Sequence, residues 1–468
     1  MEYKRKNVWL NIDDQQKNEL EEISKDYIDF LNVAKTERLA TNEIIKRAQA
    51  AGFVNLEEKI NNNSIKAGDK VYTVNKNKAV ALFVIGSEDL EKGMSIVGAH
   101  TDSPRLDLKP VPLSEDTQIA YFKTHYYGGV KKYQWTTIPL ALHGVVFNKN
   151  GEKIEVAIGE NDDEPVFTIS ELLIHLSKKM MQKSASEVIE GEQLKVIVGS
   201  IPLADEEDNP VKKNILKILN EKYGIEEEDF ITAEFEVVPA IKARNAGLDN
   251  SMIIAHGQDD RVCAYSALNA ILEIENPEKT AVALFVDKEE IGSRGATAMT
   301  SQFFENAVLE LLNIEEKANL ISLKRSLANS KVLSADVTMA YDPNFKDVSE
   351  IDNAAQFGCG VALTKYTGSG GKGGSNDANA EYLSEIRLAF EKDKVIYQTG
   401  ELGAVDAGGG GTIAFILAEY GMDVVDCGTP VISMHAPTEL VSKADLYETI
   451  LAYKSFYKNI WHSIILLV

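Results

Sequence analysis

Apolar positions along this chain recur with two different periods. Between about 13 and 51, Leu20, Ile23, Tyr27 and Leu31 stand three or four residues apart with charges between them, the spacing of one helical face. A second helix is expected from residue 41 to 51, opened by a Thr-x-Glu cap at Thr41 and Glu43 and closed by Gly52. Residues 71–74 and 79–85 read as strands joined by the turn-forming Asn75-Lys76-Asn77. The runs at 94–99 and 281–286 are apolar without alternation, which suits strands covered on both faces of a parallel sheet. From about 106 to 238 the pattern changes to short alternating segments, with a hairpin signal at 145–148 and 154–158 around Lys149-Asn150-Gly151. After Ser251, strands again alternate with helical patterns, among them 264–271, 378–390 and 413–419.

These periods predict an α/β fold class: a mixed, largely parallel sheet flanked by helices, with a β-rich insertion. The main domain is expected to be discontinuous, 1–105 and 239–468, interrupted by an inserted domain over 106–238.

Composition narrows the function classes. With 468 residues, 44% of them hydrophobic and 26% charged, the chain can bury a large core. A formal net charge of −23 disfavours nucleic acid and anionic membrane as partners. Cys263, Cys359 and Cys427 are far apart and form no CxxC pair, which argues against a thiolate zinc site or a disulfide framework. The N-terminal stretch lacks the apolar core of a signal peptide, and no run approaches bilayer length. A cytoplasmic location is therefore expected.

The chemistry sits at the ends of the expected strands. Five of them finish in His or carboxylate: His100 with Asp102, Asp259 with Asp260, Glu289 with Glu290, Asp336, and His435. An isolated Asp at such a place is ordinarily a cap or turn residue. Jointly they mean more, because parallel strands bring their carboxyl ends to one edge. His and carboxylate without thiolate suit zinc, manganese or cobalt, and two histidines with three carboxylates suffice for a dinuclear site. Such a pair of ions activates a water, which still needs a base. One of Glu289 and Glu290 can hold an ion while the other accepts the proton. His100 and Asp102 lie two apart, so Asp102 can fix the tautomer of the ring.

Gly368–Gly374 invites a phosphate-loop reading, which fails. No glycine stands at the required spacing before Gly371-Lys372, and Gly373 replaces the hydroxyl residue that would hold magnesium. A substrate-facing loop is expected instead, with Lys365 or Lys372 available to a substrate carboxylate or the reaction's oxyanion.

The series His100-Thr101-Asp102-Ser103-Pro104, Gly257-Gln258-Asp259-Asp260-Arg261, Asp287-Lys288-Glu289-Glu290-Ile291-Gly292-Ser293, Ser334-Ala335-Asp336 and Ser433-Met434-His435-Ala436-Pro437 resembles, in order and over nearly the whole chain, the M18 family of metallo-aminopeptidases. The resemblance implies a zinc-exopeptidase-like core and two divalent ions per subunit, zinc first, with cobalt or manganese accepted. It implies that His100, Asp259 and Asp336 hold one ion and Asp259, Glu290 and His435 the other, with Asp259 bridging. Glu289 would be the general base and Asp102 the orienter of His100. The inserted domain would serve dimerisation, within a dimer-based homo-dodecamer acting on peptide substrates. Ile174-His175-Leu176 is similar to a family segment whose histidine reaches the neighbouring subunit's active site. Read from the residues alone, His175 belongs to an apolar helical face with Leu172, Leu173 and Leu176, the setting of a core histidine.

Residues 337–343, Val-Thr-Met-Ala-Tyr-Asp-Pro, lack the histidines that members preferring acidic residues tend to carry there, so the preferred N-terminal residue stays open. Two readings compete: another two-metal amidohydrolase on a similar core, or a non-catalytic metal-binding scaffold. A scaffold has no use for the extra carboxylate at Glu289.

Overall fold

A computed structural model describes residues 3–462. The chain divides into two compact units. The first runs through Asp102, resumes over Ala243–Met434 and continues from Glu439; the second is Ser103–Lys242 with His435–Thr438.

The first unit is built on a nine-stranded mixed sheet. Its order is Val54–Asn55, Lys70–Asn75, Ala79–Val84, Ala281–Val286, Ser95–His100, Lys331–Ser334, Asp423–Gly428, Val361–Thr364 and Tyr397–Thr399. The four central strands, Ala281–Val286 through Asp423–Gly428, are mutually parallel. Their non-alternating composition has the expected cause. Ala281, Ala283 and Phe285 enter one hydrophobic cluster, while Val282, Leu284 and Val286 enter another on the opposite face. Helices Asp14–Val33, Glu37–Ala50, Gln258–Leu272 and Lys443–Asn459 supply the first cluster, and Phe303–Ile314 and Leu320–Ala328 the second.

The first two helices correct a boundary. The second begins at Glu37, capped by the Thr36 hydroxyl, which accepts the Leu39 N–H at 3.3 Å. Thr41 is a buried interior residue of that helix. A threonine five residues earlier wins because its extended backbone leaves its oxygen free to meet the first turn. Lys76 and Asn77 both take positive φ in the three-residue connection between Lys70–Asn75 and Ala79–Val84, where the Lys78 N–H donates to the Asn75 carbonyl at 3.1 Å.

A second, five-stranded sheet in the same unit orders Arg244–Ala246, Met252–Ala255, Glu439–Ser442, Pro430–Ile432 and Thr338–Met339. It changes the picture of a single sheet edge. His100, the Glu289-Glu290 pair and Asp336 follow strands of the nine-stranded sheet. Asp259 follows Met252–Ala255 and His435 follows Pro430–Ile432, both strands of the five-stranded sheet. Strands of three or four residues carry too little pattern to reveal which sheet they join.

The second unit has an entirely antiparallel six-stranded sheet, in the order Lys153–Ile158, Leu140–Phe147, Ala233–Pro239, Arg105–Asp116, Ile119–Tyr127, Lys195–Gly199. Helix Pro210–Tyr223 contributes Val211 and Leu219 to its core, beside Trp135, Phe122 and Phe235. Here the expected setting of His175 is overturned. Ile174–Leu176 is a single 3-10 turn with no buried residue, and Leu172, Leu173, Ile174 and Leu176 are all exposed. The leucines share a face only if a helix forms, and the chain makes just one turn there.

Candidate metal centre

The site is assembled from backbone registers. Val286 pairs with His100, and the Thr101 N–H donates to the Val286 carbonyl at 2.9 Å, extending the parallel ladder one step. The two chains therefore leave the sheet side by side. After Asp287 the backbone folds into a tight turn: Lys288 takes φ 70°, Glu289–Ile291 form a 3-10 turn, and Gly292 takes φ 93°. A side chain on Gly292 would meet nothing within 4 Å, so the left-handed backbone, not space, favours glycine. The turn aims two N–H groups at Asp102. Its Oδ1 accepts from Glu289 and its Oδ2 from Glu290, each at 3.2 Å. Below, Asp287 is fully buried, with Oδ2 receiving Lys288 Nζ at 2.6 Å and Thr297 Oγ1 at 2.5 Å.

His100, 1% exposed, lies at the centre. Its Nδ1 faces the Asp102 main-chain carbonyl at 3.0 Å and Oδ1 at 3.3 Å. Its Nε2 is 3.3 Å from Asp259 Oδ1, 3.9 Å from Asp336 Oδ1 and 4.0 Å from Glu289 Oε2. Asp336 is delivered by the Ala335 N–H, which donates to Gly98 O at 2.7 Å. Asp259 and Asp260 precede the regular part of helix Gln258–Leu272 with non-helical dihedrals, after Gly257 at φ 70°. Ligand atoms within 4.8 Å of one another form two overlapping groups, His100–Asp260–Asp336 and His100–Asp259–Glu290.

Asp260 is a residue whose place the sequence left unassigned. It is fully buried, and its Oδ2 accepts the main-chain N–H of His100 at 3.3 Å. Adjacency to Asp259 was the available signal; it could not say that the two carboxyls would turn to different atoms of His100.

Electrostatics test whether the donor set suits a cation. Burial pushes the Asp336 carboxyl well above its ordinary range; His100 opposes this, and the charges of Asp260, Glu289 and Asp259 add to it. Burial also raises Asp260, with Asp259 adding like charge. Burial works against charging His100, yet hydrogen bonds to Asp102 and Asp259 outweigh it and hold its pKa well above the usual histidine value. Buried acids crowd one imidazole, whose pKa rises in answer. A divalent ion in the proton's place satisfies more oxygens than one N–H can, so the residues fit a metal.

The remaining candidates are not part of these two groups. His435 and His175 belong to the second unit. His435 takes φ 65°, and its Nδ1 is 3.0 Å from the Gly129 carbonyl. His175 is exposed. In the first unit, Gly368–Ser369 pairs with Gly409–Gly410, joining the two glycine-rich loops. Lys372 is already engaged, its ammonium 3.8 Å from the Tyr366 ring centroid and 3.1 Å from Asp377, whereas Lys365 is exposed.

Residues 30–457 match the family described as aminopeptidase I zinc metalloprotease (M18). The chain belongs to the M18 family of metallo-aminopeptidases. A probable M18 family aminopeptidase 1 of Clostridium acetobutylicum is 52% identical over 97% of this chain and 98% of its own length. Its counterpart in Thermotoga maritima is 49% identical over 98% of this chain and all of its own. The crystal structure of the Thermotoga maritima M18 aminopeptidase superposes with a TM-score of 0.94 at 48% identity, covering 98% of this chain and 100% of that one. As an M18 enzyme the protein is a hydrolase, a zinc-family aminopeptidase, with the mixed α/β architecture of its relatives. Among the described residues, no helix is long and apolar enough to cross a membrane.

Proposed function

We propose that this aminopeptidase removes N-terminal residues from peptides at a two-ion centre formed around His100. In this reading His100, Asp259 and Asp336 hold one divalent ion, and Asp259, Glu290 and His435 the other. Zinc is the first choice, and cobalt or manganese suits the same donors. Two overlapping groups of candidate ligand atoms around one buried imidazole, His100–Asp260–Asp336 and His100–Asp259–Glu290, support a two-ion centre; the division of ligands between the ions follows the family resemblance. Asp259, whose oxygen stands 3.3 Å from His100 Nε2, is taken as the bridge on the family resemblance, and one oxygen of Asp260 is held by the His100 main-chain N–H. Inclusion of His435 rests on the family resemblance.

Bound there, the ions would polarise the scissile carbonyl and acidify a water. The chain does the rest. Asp102 keeps the His100 ring in place through Nδ1, and its carboxylate pins the N–H groups of the Glu289-Glu290 turn. Glu290 faces the ligand cluster, and Glu289, partly exposed, takes the proton of the water and later returns one to the leaving amine. Glu289→Gln should bind metal nearly as before and lose almost all hydrolysis of an aminoacyl substrate. Substantial remaining turnover would refute the base assignment.

The assembly proposed is a dimer-based homo-dodecamer with the β-rich unit as dimerisation domain. The S. cerevisiae mApe1 structure, with 20% identity and a TM-score of 0.76, is a dodecamer. Exposure of His175 suits a residue that acts on a neighbouring subunit. A His175→Ala protein of unchanged oligomeric mass should lose turnover, and full turnover would remove His175 from the mechanism.

A further inference from the structure

We infer that Glu439 is a positioning residue for the metal centre, acting through the main chain of Asp259; this rests on the metal reading of the site. Glu439 opens the strand Glu439–Ser442 and is 1% exposed. Its Oε2 accepts the Asp259 N–H at 3.1 Å across 180 residues of sequence. A carboxyl group this deeply buried is costly unless its oxygens meet hydrogen-bond donors. Here the donor is one of the N–H groups that a helix start leaves without an intrahelical partner.

The contact is one half of a clamp. Gln258, fully buried, sends Nε2 to the Glu439 carbonyl at 2.6 Å and to the Ile253 carbonyl at 3.0 Å. Tyr27, buried in the core, reaches Gln258 Oε1 from the far side at 3.4 Å. Ala255 pairs with Glu439 in the antiparallel ladder, so the strand that precedes Gly257 is tied to the same residue. Between Gly257 at φ 70° and the regular helix, Gln258 and Asp259 are thus held by a side chain on each side. Asp259 must present its carboxylate to the centre from a non-helical backbone (φ −80°, ψ 106°), a conformation that the helix does not impose. The clamp imposes it. A carboxyl oxygen accepts more strongly here than an amide oxygen would, so glutamate holds Asp259 more tightly than glutamine could.

The test uses the full chain, stripped of metal and titrated with Zn2+ by calorimetry and with Co2+ by visible absorption. Wild type should take up ions; no uptake would remove the metal reading itself, independently of Glu439. Glu439→Ala should lower affinity at one site or both by about 10–100-fold and alter the Co2+ spectrum, as loss of a residue that orients a ligand does. Glu439→Gln keeps an acceptor oxygen, and should restore most of the spectrum and of kcat while remaining weaker in affinity. Asp445→Asn, at a buried acid that faces the Gly358 and Gly360 N–H groups instead, should leave affinity within about twofold. If Glu439→Ala fails to fold, Glu439→Gln decides, by its weaker affinity at an unchanged melting temperature. Wild-type affinity and an unaltered Co2+ spectrum in Glu439→Ala, or in Glu439→Gln where the alanine variant does not fold, would overturn the assignment.

Discussion

Two sets of buried acids in the first unit make opposite use of the same physics. On helix Lys443–Asn459, Asp445 accepts the N–H groups of Gly358 at 2.9 Å and Gly360 at 2.7 Å, and Glu448 accepts that of Ile396 at 2.8 Å. Burial lifts Asp445 to about 8 and Glu448 to about 7, against the lowering effect of those N–H groups. Around His100, burial raises Asp260 and Asp336 as well, but their neighbours are more carboxylates. A raised carboxyl pKa therefore does not mark chemistry. What separates the two sets is convergence: the helix acids are spent on main-chain donors, whereas Asp260, although it also accepts the His100 N–H, joins Asp336 and His100 in one group of candidate ligand atoms.

The largest expected contrast is catalytic. Glu289→Gln should reduce kcat by about 10³-fold or more while Asp445→Asn stays within about twofold, measured on one aminoacyl substrate. Comparable losses would mean that burial, not convergence, matters. Next comes metal dependence. Chelation should abolish activity and lower the melting temperature, with the stability difference about 3 kcal/mol when the ion is present at roughly 100 times its Kd. Asp336→Asn should lose most of that metal-dependent gain, and Asp445→Asn should keep it.

Per pH unit the effect of titration is the smallest of the three, and its sign is the reverse of the usual carboxylate case. Asp445 and Glu448 have folded pKa values above those of the unfolded chain, near 4. Between about 4 and about 8 for Asp445, and up to about 7 for Glu448, the folded state keeps a proton that the unfolded state releases. Their contribution is complete at low pH and is lost as pH rises through that window, by at most about 1.4 kcal/mol per pH unit per group. Urea unfolding of the chelated protein at pH 5, 6, 7 and 8 should show the slope, and Asp445→Asn should flatten it. An unchanged slope in that variant would place the charge elsewhere.

Much of this was readable without coordinates. Uninterrupted apolar runs marked the central strands because a strand packed on both faces has no polar side to display. His100, Asp102, Glu289, Glu290 and Asp336 announced themselves because polar groups directly after such strands stand out. Other features gave no such signal. Asp260 stood beside Asp259 without a role of its own, and Glu439 was not singled out. The leucines beside His175 imitated a helical face, since periodicity over five residues cannot separate a helix from a single turn.

The chain's own pattern thus determined the α/β class, the central strands and the residue types of a candidate metal site, because period and composition are local properties. Tertiary structure alone decided that Asp259 comes from a second sheet, that Asp102 grips the Glu289-Glu290 turn, and that Glu439 holds Asp259. These are contacts between main-chain donors and side chains up to 188 residues apart. Any residue offers the same N–H, so nothing in the sequence distinguishes the one that is used.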